Sequence, residues 1–329
     1  MSVPAGAFVL VAWKTEQHAP GKSALSTAAE VPETRGLEGD DAVHALRNVG
    51  AKALIRDSFV RFRRADAFSH SRALAFQLVL TLLPALIAVV GFASVLGEES
   101  FSRVLESTFK DLAPGPASEV LTQTIQSGSD GGGLALFLGL AISIVSGATA
   151  MGQIERGANR LYGVERDRPS IAKYARATIL ALTAGVLSVG ALILVVAGSE
   201  LQGALTDNGW SDTLGTIWSI GRWPLGAALV VTAAALLFER SPNRSQPEPT
   251  WLAFGSGLSV LMWFTFTGIL AGYLELSKDF GDTYGPLAGF IGLMLWALLT
   301  AFALFAGLAV AAQLEAIRAG KPDPDDGGS

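Results

Sequence analysis

The 329-residue chain contains no cysteine, so disulfides, thiolate chemistry and cysteine metal sites are excluded. Histidine is almost as scarce. His18, His44 and His70 lie far apart and outside the apolar blocks, and they form no ligand cluster of a recognised kind. Charged residues make up 16% of the chain, against about 25% in a typical soluble domain. The net charge of −5 carries no basic excess that would suggest a nucleic-acid partner. Enzyme motifs are missing too: there is no Walker A phosphate loop, no HExxH, no GxSxG and no dinucleotide fingerprint. Asp279 and Asp282 lie three apart beside Tyr284, but one carboxylate pair is weak support for a metal site. No catalytic residue, cofactor or metal is expected.

What the chain does have is long stretches without charge. Half of its residues are hydrophobic, and uncharged blocks alternate with short charged ones. Six blocks are long enough to cross a bilayer core, which takes roughly 20 helical residues. They cover about 73–96, 133–152, 177–197, 223–238, 251–273 and 286–312. The fourth and sixth start with a proline, Pro224 and Pro286, where the first turn tolerates one. The blocks are apolar all round, whereas buried helices of a soluble protein keep a polar face. The sequence therefore predicts an all-α polytopic membrane protein, a bundle of six transmembrane helices.

Orientation follows from lysine and arginine, which collect on the cytoplasmic side. Twenty fall before the first span, in the second-to-third and fourth-to-fifth connections, and in the tail. Only Arg103, Lys110, Arg222 and Lys278 fall on the other side. Both termini are thus expected in the cytoplasm.

The chain divides into a disordered N-terminal segment (1–41), a juxtamembrane amphipathic helix (42–71), the membrane domain (72–316) and a loose acidic tail (317–329). In the amphipathic segment Ile55, Phe59 and Phe62 share a face, with arginines around them. Such a helix can lie in the inner interface, with Arg56, Arg61, Arg63 and Arg64 meeting anionic headgroups. The first outer connection holds two amphipathic patches, Phe101/Val104/Leu105/Phe109 and Val120/Leu121/Thr124/Ile125, read as short extracytoplasmic helices. Glycines 131–133 then form a flexible entry to the second span. Trp210 and Trp218, in the second outer connection, suit an interfacial belt.

Charge inside the spans would mark an ion or proton path, and here there is almost none. Glu155, Arg156, Glu239, Arg240 and Glu315 stand at span ends, where they are expected to reach water by snorkelling. Small residues recur instead: Gly139, Ser143 and Gly147 in the second span, Gly268 and Gly272 in the fifth, Gly285 and Gly289 at the sixth. Such spacing lets helices approach closely, within a bundle or between protomers. A sharper alternative is a weakly polar track of Gln77, Thr81, Ser143, Ser146, Thr149 and Gln153, suited to headgroups or neutral solutes.

Three stretches carry a family resemblance: SRALAFQLVLTLLPALIAVVGF (71–92) with Pro84, ERGANRLYGVERDR (155–168) with Asn159, and TYGPLAGFIGLMLWALLTAFALFAGLAVAAQLE (283–315) with Tyr284, Gly285 and Trp296. In these the chain resembles the YihY/virulence factor BrkB family of bacterial inner-membrane proteins, over roughly residues 45–316. It departs from the family pattern at WLAFGSG (251–257) and AGLAVAAQLE (306–315). The resemblance implies an inner-membrane location and six spans. Some members were formerly named ribonuclease BN, and others are linked to serum resistance or lipid export. The expectation is a translocator of lipid or another amphiphile, with membrane lipids as partners. The alternative is a non-transporting scaffold for envelope assembly or resistance, working as a homo-oligomer or with envelope proteins. A membrane-bound ribonuclease is rejected, because the sequence offers no metal-dependent nuclease site.

The missing cysteines make topology simple to test. With an impermeant maleimide on intact spheroplasts, Asp130→Cys is expected to label and Ser329→Cys to label only after lysis. The reverse pattern would invert the assignment.

Overall fold

In the computed structural model the described residues are 28–34, 36–95, 97, 106, 113, 115–207, 211–277, 284 and 287–325. Two short helices lead the chain: α1 (Gly39–Val49) and α2 (Ala51–Arg64). Six long ones follow: α3 (Ala67–Val95), α4 (Ala117–Tyr162), α5 (Ser170–Asp207), α6 (Asp212–Arg240), α7 (Pro249–Leu276) and α8 (Ala288–Arg318). Each of the six includes a stretch long and apolar enough to cross a membrane. The polytopic all-α architecture is as the hydropathy pattern predicts.

Helix boundaries extend well past the apolar blocks, because hydropathy marks only the part of a helix that meets lipid. α4 alone has 46 residues, or about 70 Å at 1.5 Å per residue. Gly132 interrupts it with φ +51° and ψ −132°, a conformation that needs a glycine. The glycine run is thus a kink between two helical arms rather than a flexible linker. Leu121 and Ile125, from the second amphipathic patch, are buried on the first arm with Leu86 and Val90 of α3 and Leu293 of α8. Of the first patch, 101–105 and 109 lie outside the described residues, as do Trp210, Asp279, Asp282 and Gly285.

The expected single amphipathic helix over 42–71 is two helices, broken at Gly50, and its last turns already belong to α3. Nor is the polar N-terminal segment loose where it is described. Ala28, Ala29 and Val31 are buried. The described part of the tail also packs: Ala29 N–H donates to Pro324 O (3.1 Å), and Gln313 Nε2 to Pro322 O (2.6 Å). Both segments are polar in composition, so only their backbone hydrogen bonds show that they are tied down.

Helices α3 and α4 share the most extensive contact. A Cβ at Gly139 would lie 2.7 Å from both Pro84 O and Ala88 N, and one at Gly91 2.7 Å from Leu136 N. α8 packs on α3, α4 and α7 and is the most enclosed span. α7 and α8 approach through Gly255, whose Cβ would stand 2.8 Å from Gly307 O. The two stretches in which this chain departs from the pattern of the family it resembles are therefore packed against each other. Further along the same pair, Trp263 donates to Thr300 Oγ1 (3.0 Å) and Trp296 to Thr267 Oγ1 (3.1 Å). The Gly268/Gly272 pair does not serve close packing inside the chain, since a Cβ at either would meet nothing within 4 Å. α5 pairs with α4 and α6, and α6 with α7, but neither packs appreciably on α8.

Gly139→Leu would force two backbones apart and is expected to cost about 3 kcal/mol, the upper range for overpacking. Gly268→Ala, in open space on a helix, should be neutral or slightly stabilising. Unfolding of both variants in detergent would check this, and equal behaviour would refute the tight α3–α4 contact.

Candidate functional site at the arginine-rich end

The last turn of α4 organises this site. Helix C-termini leave carbonyls without an intrahelical partner. Gly163, at φ +75°, ends α4 in the left-handed conformation typical of such caps. Val164 N–H then returns to Asn159 O at 2.8 Å. The next three carbonyls are taken from elsewhere in the chain. Ala28 N–H donates to Arg160 O (3.1 Å), Arg61 Nη1 to Leu161 O (2.9 Å) and Val31 N–H to Tyr162 O (3.1 Å). A side chain at 163 would run into Glu30, whose N is 2.6 Å from the Cβ position.

Arg61 is fully buried. Besides Leu161 O it donates to Ala29 O (2.9 Å) and, through Nε, to Gln313 Oε1 (2.8 Å). Burial pulls its guanidinium down to about 10, which leaves it charged at neutral pH. The partial negative charge of the α4 C-terminus favours a cation there. Arg61 is therefore an internal tie and not one of the expected headgroup contacts. Its neighbours do stay outside: Arg56 and Arg63 are exposed, and Arg64 is mostly exposed beside Asp325. Ile55 and Phe59 are exposed as well, while Phe62 faces the core.

Next to Arg61 lies a buried ion pair. Glu315 has no exposed surface, and the Arg244 side chain is 3% exposed. Arg244 binds both carboxylate oxygens, Nη2 to Oε1 at 2.7 Å and Nη1 to Oε2 at 3.2 Å. Thr34 adds its hydroxyl to Oε1 at 2.7 Å, and Arg244 Nη2 also reaches Pro32 O at 3.1 Å. The guanidinium stacks 4.6 Å above the Tyr162 ring, a cation–π contact.

A second knot joins the two arginine-rich connections. Glu155, also buried, pairs with Arg168 at 3.2 Å, and Arg168 spans to Ser241 O (2.8 Å) and Pro242 O (2.5 Å). Asn159 is fully buried; it donates to Asp167 Oδ1 and accepts from Asn243 N–H, both at 2.7 Å. Burial alone would raise the Asp167 carboxyl, but Asn159 and Lys173 hold it below its ordinary 3.8. Its contribution is complete above pH 4 and fades as the pH falls through that lowered value. Glu155 and Glu315 were expected to snorkel and instead turn inward, because arginines from distant connections meet them.

The six residues of the expected track divide. Thr149 Oγ1 donates to Gln77 Oε1 at 2.8 Å, linking α3 and α4. Gln153 bridges His70 Nδ1 (2.9 Å) and Arg156 Nη2 (2.5 Å). Thr81, Ser143 and Ser146 turn their hydroxyls onto carbonyls of their own helices. The seam is polar near the arginine-rich end and closes toward Gly139. Of the family-matching positions, Pro84 lies against Gly139, Asn159 holds the second knot, Trp296 clamps α7, and Tyr284 is exposed.

Sequence reasoning missed Arg244, Tyr162, Gln313 and the structural part of Glu315. Arg244 and Glu315 are 71 positions apart, and no local spacing reveals such a pair. The one available signal was that Tyr162 and Glu315 lie within the stretches that carry the family resemblance, Glu315 as the last residue of its stretch. Removing one member of a buried ion pair strands the other, at roughly 3–5 kcal/mol. Glu315→Ala is expected to lose that much stability, and Arg244→Leu/Glu315→Leu together much less. Additive losses in the double variant would deny the coupling.

Comparison with known proteins bears on the family of the chain. The model of the family described as virulence factor BrkB matches residues 58–327. A relative named as the ribonuclease-like protein YfkH, from Bacillus subtilis (strain 168), is 24% identical over 78% of this chain and 92% of its own. A UPF0761 membrane protein of Laribacter hongkongensis (strain HLHK9) is 26% identical over 74% of this chain. The match spans only 56% of that relative's length. No solved structure matches. With 270 consecutive positions matched, from 58 to 327, the chain belongs to the virulence factor BrkB family of membrane proteins.

Proposed function

We propose that this chain moves lipid or another amphiphile across the bacterial inner membrane, with both termini in the cytoplasm and without catalysing a reaction. The packing order of the helices carries the reading. α4, α5, α6, α7 and α8 touch in sequence and α8 returns to α4, yet α5 and α6 stand off α8. The side of α8 toward α5 and α6 is left without close packing from them. Gly185 and Gly190 of α5 and Gly221 of α6 meet nothing within 4 Å. These spans carry almost no charge, which suits an acyl chain and offers no coupling ion a site. Exposed Arg56 and Arg63, beside exposed Ile55 and Phe59, supply a basic amphipathic rim that attracts anionic headgroups. The ribonuclease-like name of one relative finds no support in nuclease motifs here.

A non-transporting scaffold is the second reading. The open Gly268/Gly272 face of α7 favours it, since close-packing glycines that meet nothing within the chain suit a protein neighbour.

Reconstitution separates the two. Liposomes containing a fluorescent anionic phospholipid and the folded protein should lose inner-leaflet protection from an impermeant quencher at least tenfold faster than empty ones. Gln77→Ala/Ser143→Leu should slow that exchange severalfold while inserting normally if the seam borders the path. Exchange no faster than in empty liposomes would end the translocator reading.

A further inference from the structure

The buried charges at the end of α4 do not balance. Arg61 and Arg244 are close enough for their charges to interact, and both side chains are almost wholly enclosed. Glu315 is the carboxylate between them, and its two oxygens are occupied by Arg244 and Thr34. Two guanidiniums against one carboxylate leave a formal excess of one positive charge in a junction closed to solvent. An uncompensated buried charge costs several kcal/mol, and the partial charge of one helix end offsets only part of it.

Hydrogen-bond donors are in excess as well. Arg61 Nη2 and Arg244 Nε, both shielded from solvent, have no partner among the described residues. The Tyr162 hydroxyl is enclosed beside them, and Gln246 approaches it without meeting the geometry of a hydrogen bond. Each of these groups can donate, and Gln246 also brings one unpaired acceptor, Oε1. Donors in surplus, with charge in surplus by one unit, are the chemistry of an anion site. A lipid phosphate stays at the membrane surface and would not reach a fully buried arginine. A divalent oxyanion would overshoot the charge. We infer that Arg61, Arg244, Tyr162 and Gln246 bind one small inorganic monoanion of chloride size, a structural ion that completes the junction of the N-terminal segment, α2, α4, α8 and the 241–248 connection. This inference is independent of the translocation reading.

The test uses the purified full chain in detergent, titrated with chloride against gluconate at constant ionic strength. Chloride is expected to raise the unfolding temperature saturably by a few degrees, and bromide to substitute for it. Arg244→Lys keeps the charge beside Glu315 but loses the Nε donor. It should raise the half-saturating chloride concentration at least tenfold. Arg61→Lys removes Nη2 and should do the same, so either variant serves if the other does not fold. Superimposed chloride and gluconate curves for the wild type would mean that water alone fills the junction, and would overturn the inference. So would a chloride effect that both lysine variants retain unchanged.

Discussion

A helix that ends inside a protein must find partners for its last carbonyls, and the end of α4 is where this chain meets that demand. Three successive carbonyls, of Arg160, Leu161 and Tyr162, draw in the N-terminal segment twice and Arg61 once. Arg61 must be buried to reach its carbonyl, and its side chain brings Gln313 of α8 with it. Tyr162, fixed at the same turn, offers its face to Arg244, which in turn holds Glu315. Hydrophobic packing joins the spans along their length, as Gly139 and Gly255 show. The relative placement of α2, α4, α8 and the connection before α7 depends on this polar end.

The membrane itself explains why the polar interactions gather there. Within the hydrocarbon core every backbone group is satisfied inside its own helix, so only side chains can link neighbours. Among the described residues few serve at that depth, chiefly the Gln77–Thr149 pair, the two tryptophan–threonine pairs and Ser259 Oγ on Leu304 O. Where helices leave the lipid, their ends need partners and charges become affordable in pairs. The Arg168–Glu155 and Arg244–Glu315 pairs both stand at that boundary.

The spans were legible because hydropathy is a local property, readable in any window of about 20 residues. Pro84, Asn159 and Trp296 were singled out from the sequence, and each proves to hold a contact. What was illegible is long-range. Nothing near Arg61 distinguishes it from Arg63 or Arg64, yet one is sealed in the protein and the others are not. The same holds for glycine: Gly255 and Gly268 look alike in sequence, and only the position of α8 separates a tight contact from an open face. Composition also misled at residues 28–34 and 319–325, the described parts of segments that read as loose, which are tied down by backbone bonds to α4, to α8 and to each other.

The distance along the chain between the members of the polar junction has a consequence for biogenesis. Thr34 and Glu315 are 281 positions apart. The N-terminal segment can meet α4 early, through Ala28 and Val31, but its bond from Thr34 to Glu315 waits for α8. Until then Arg244 lacks its carboxylate and Arg61 its Gln313 partner, although the carbonyls of α4 are already met. A nascent chain that stops short of α8 has every other span it needs to enter the bilayer, but cannot close this junction. The buried ion pair is thus the contact that only α8 can supply, and it is made last.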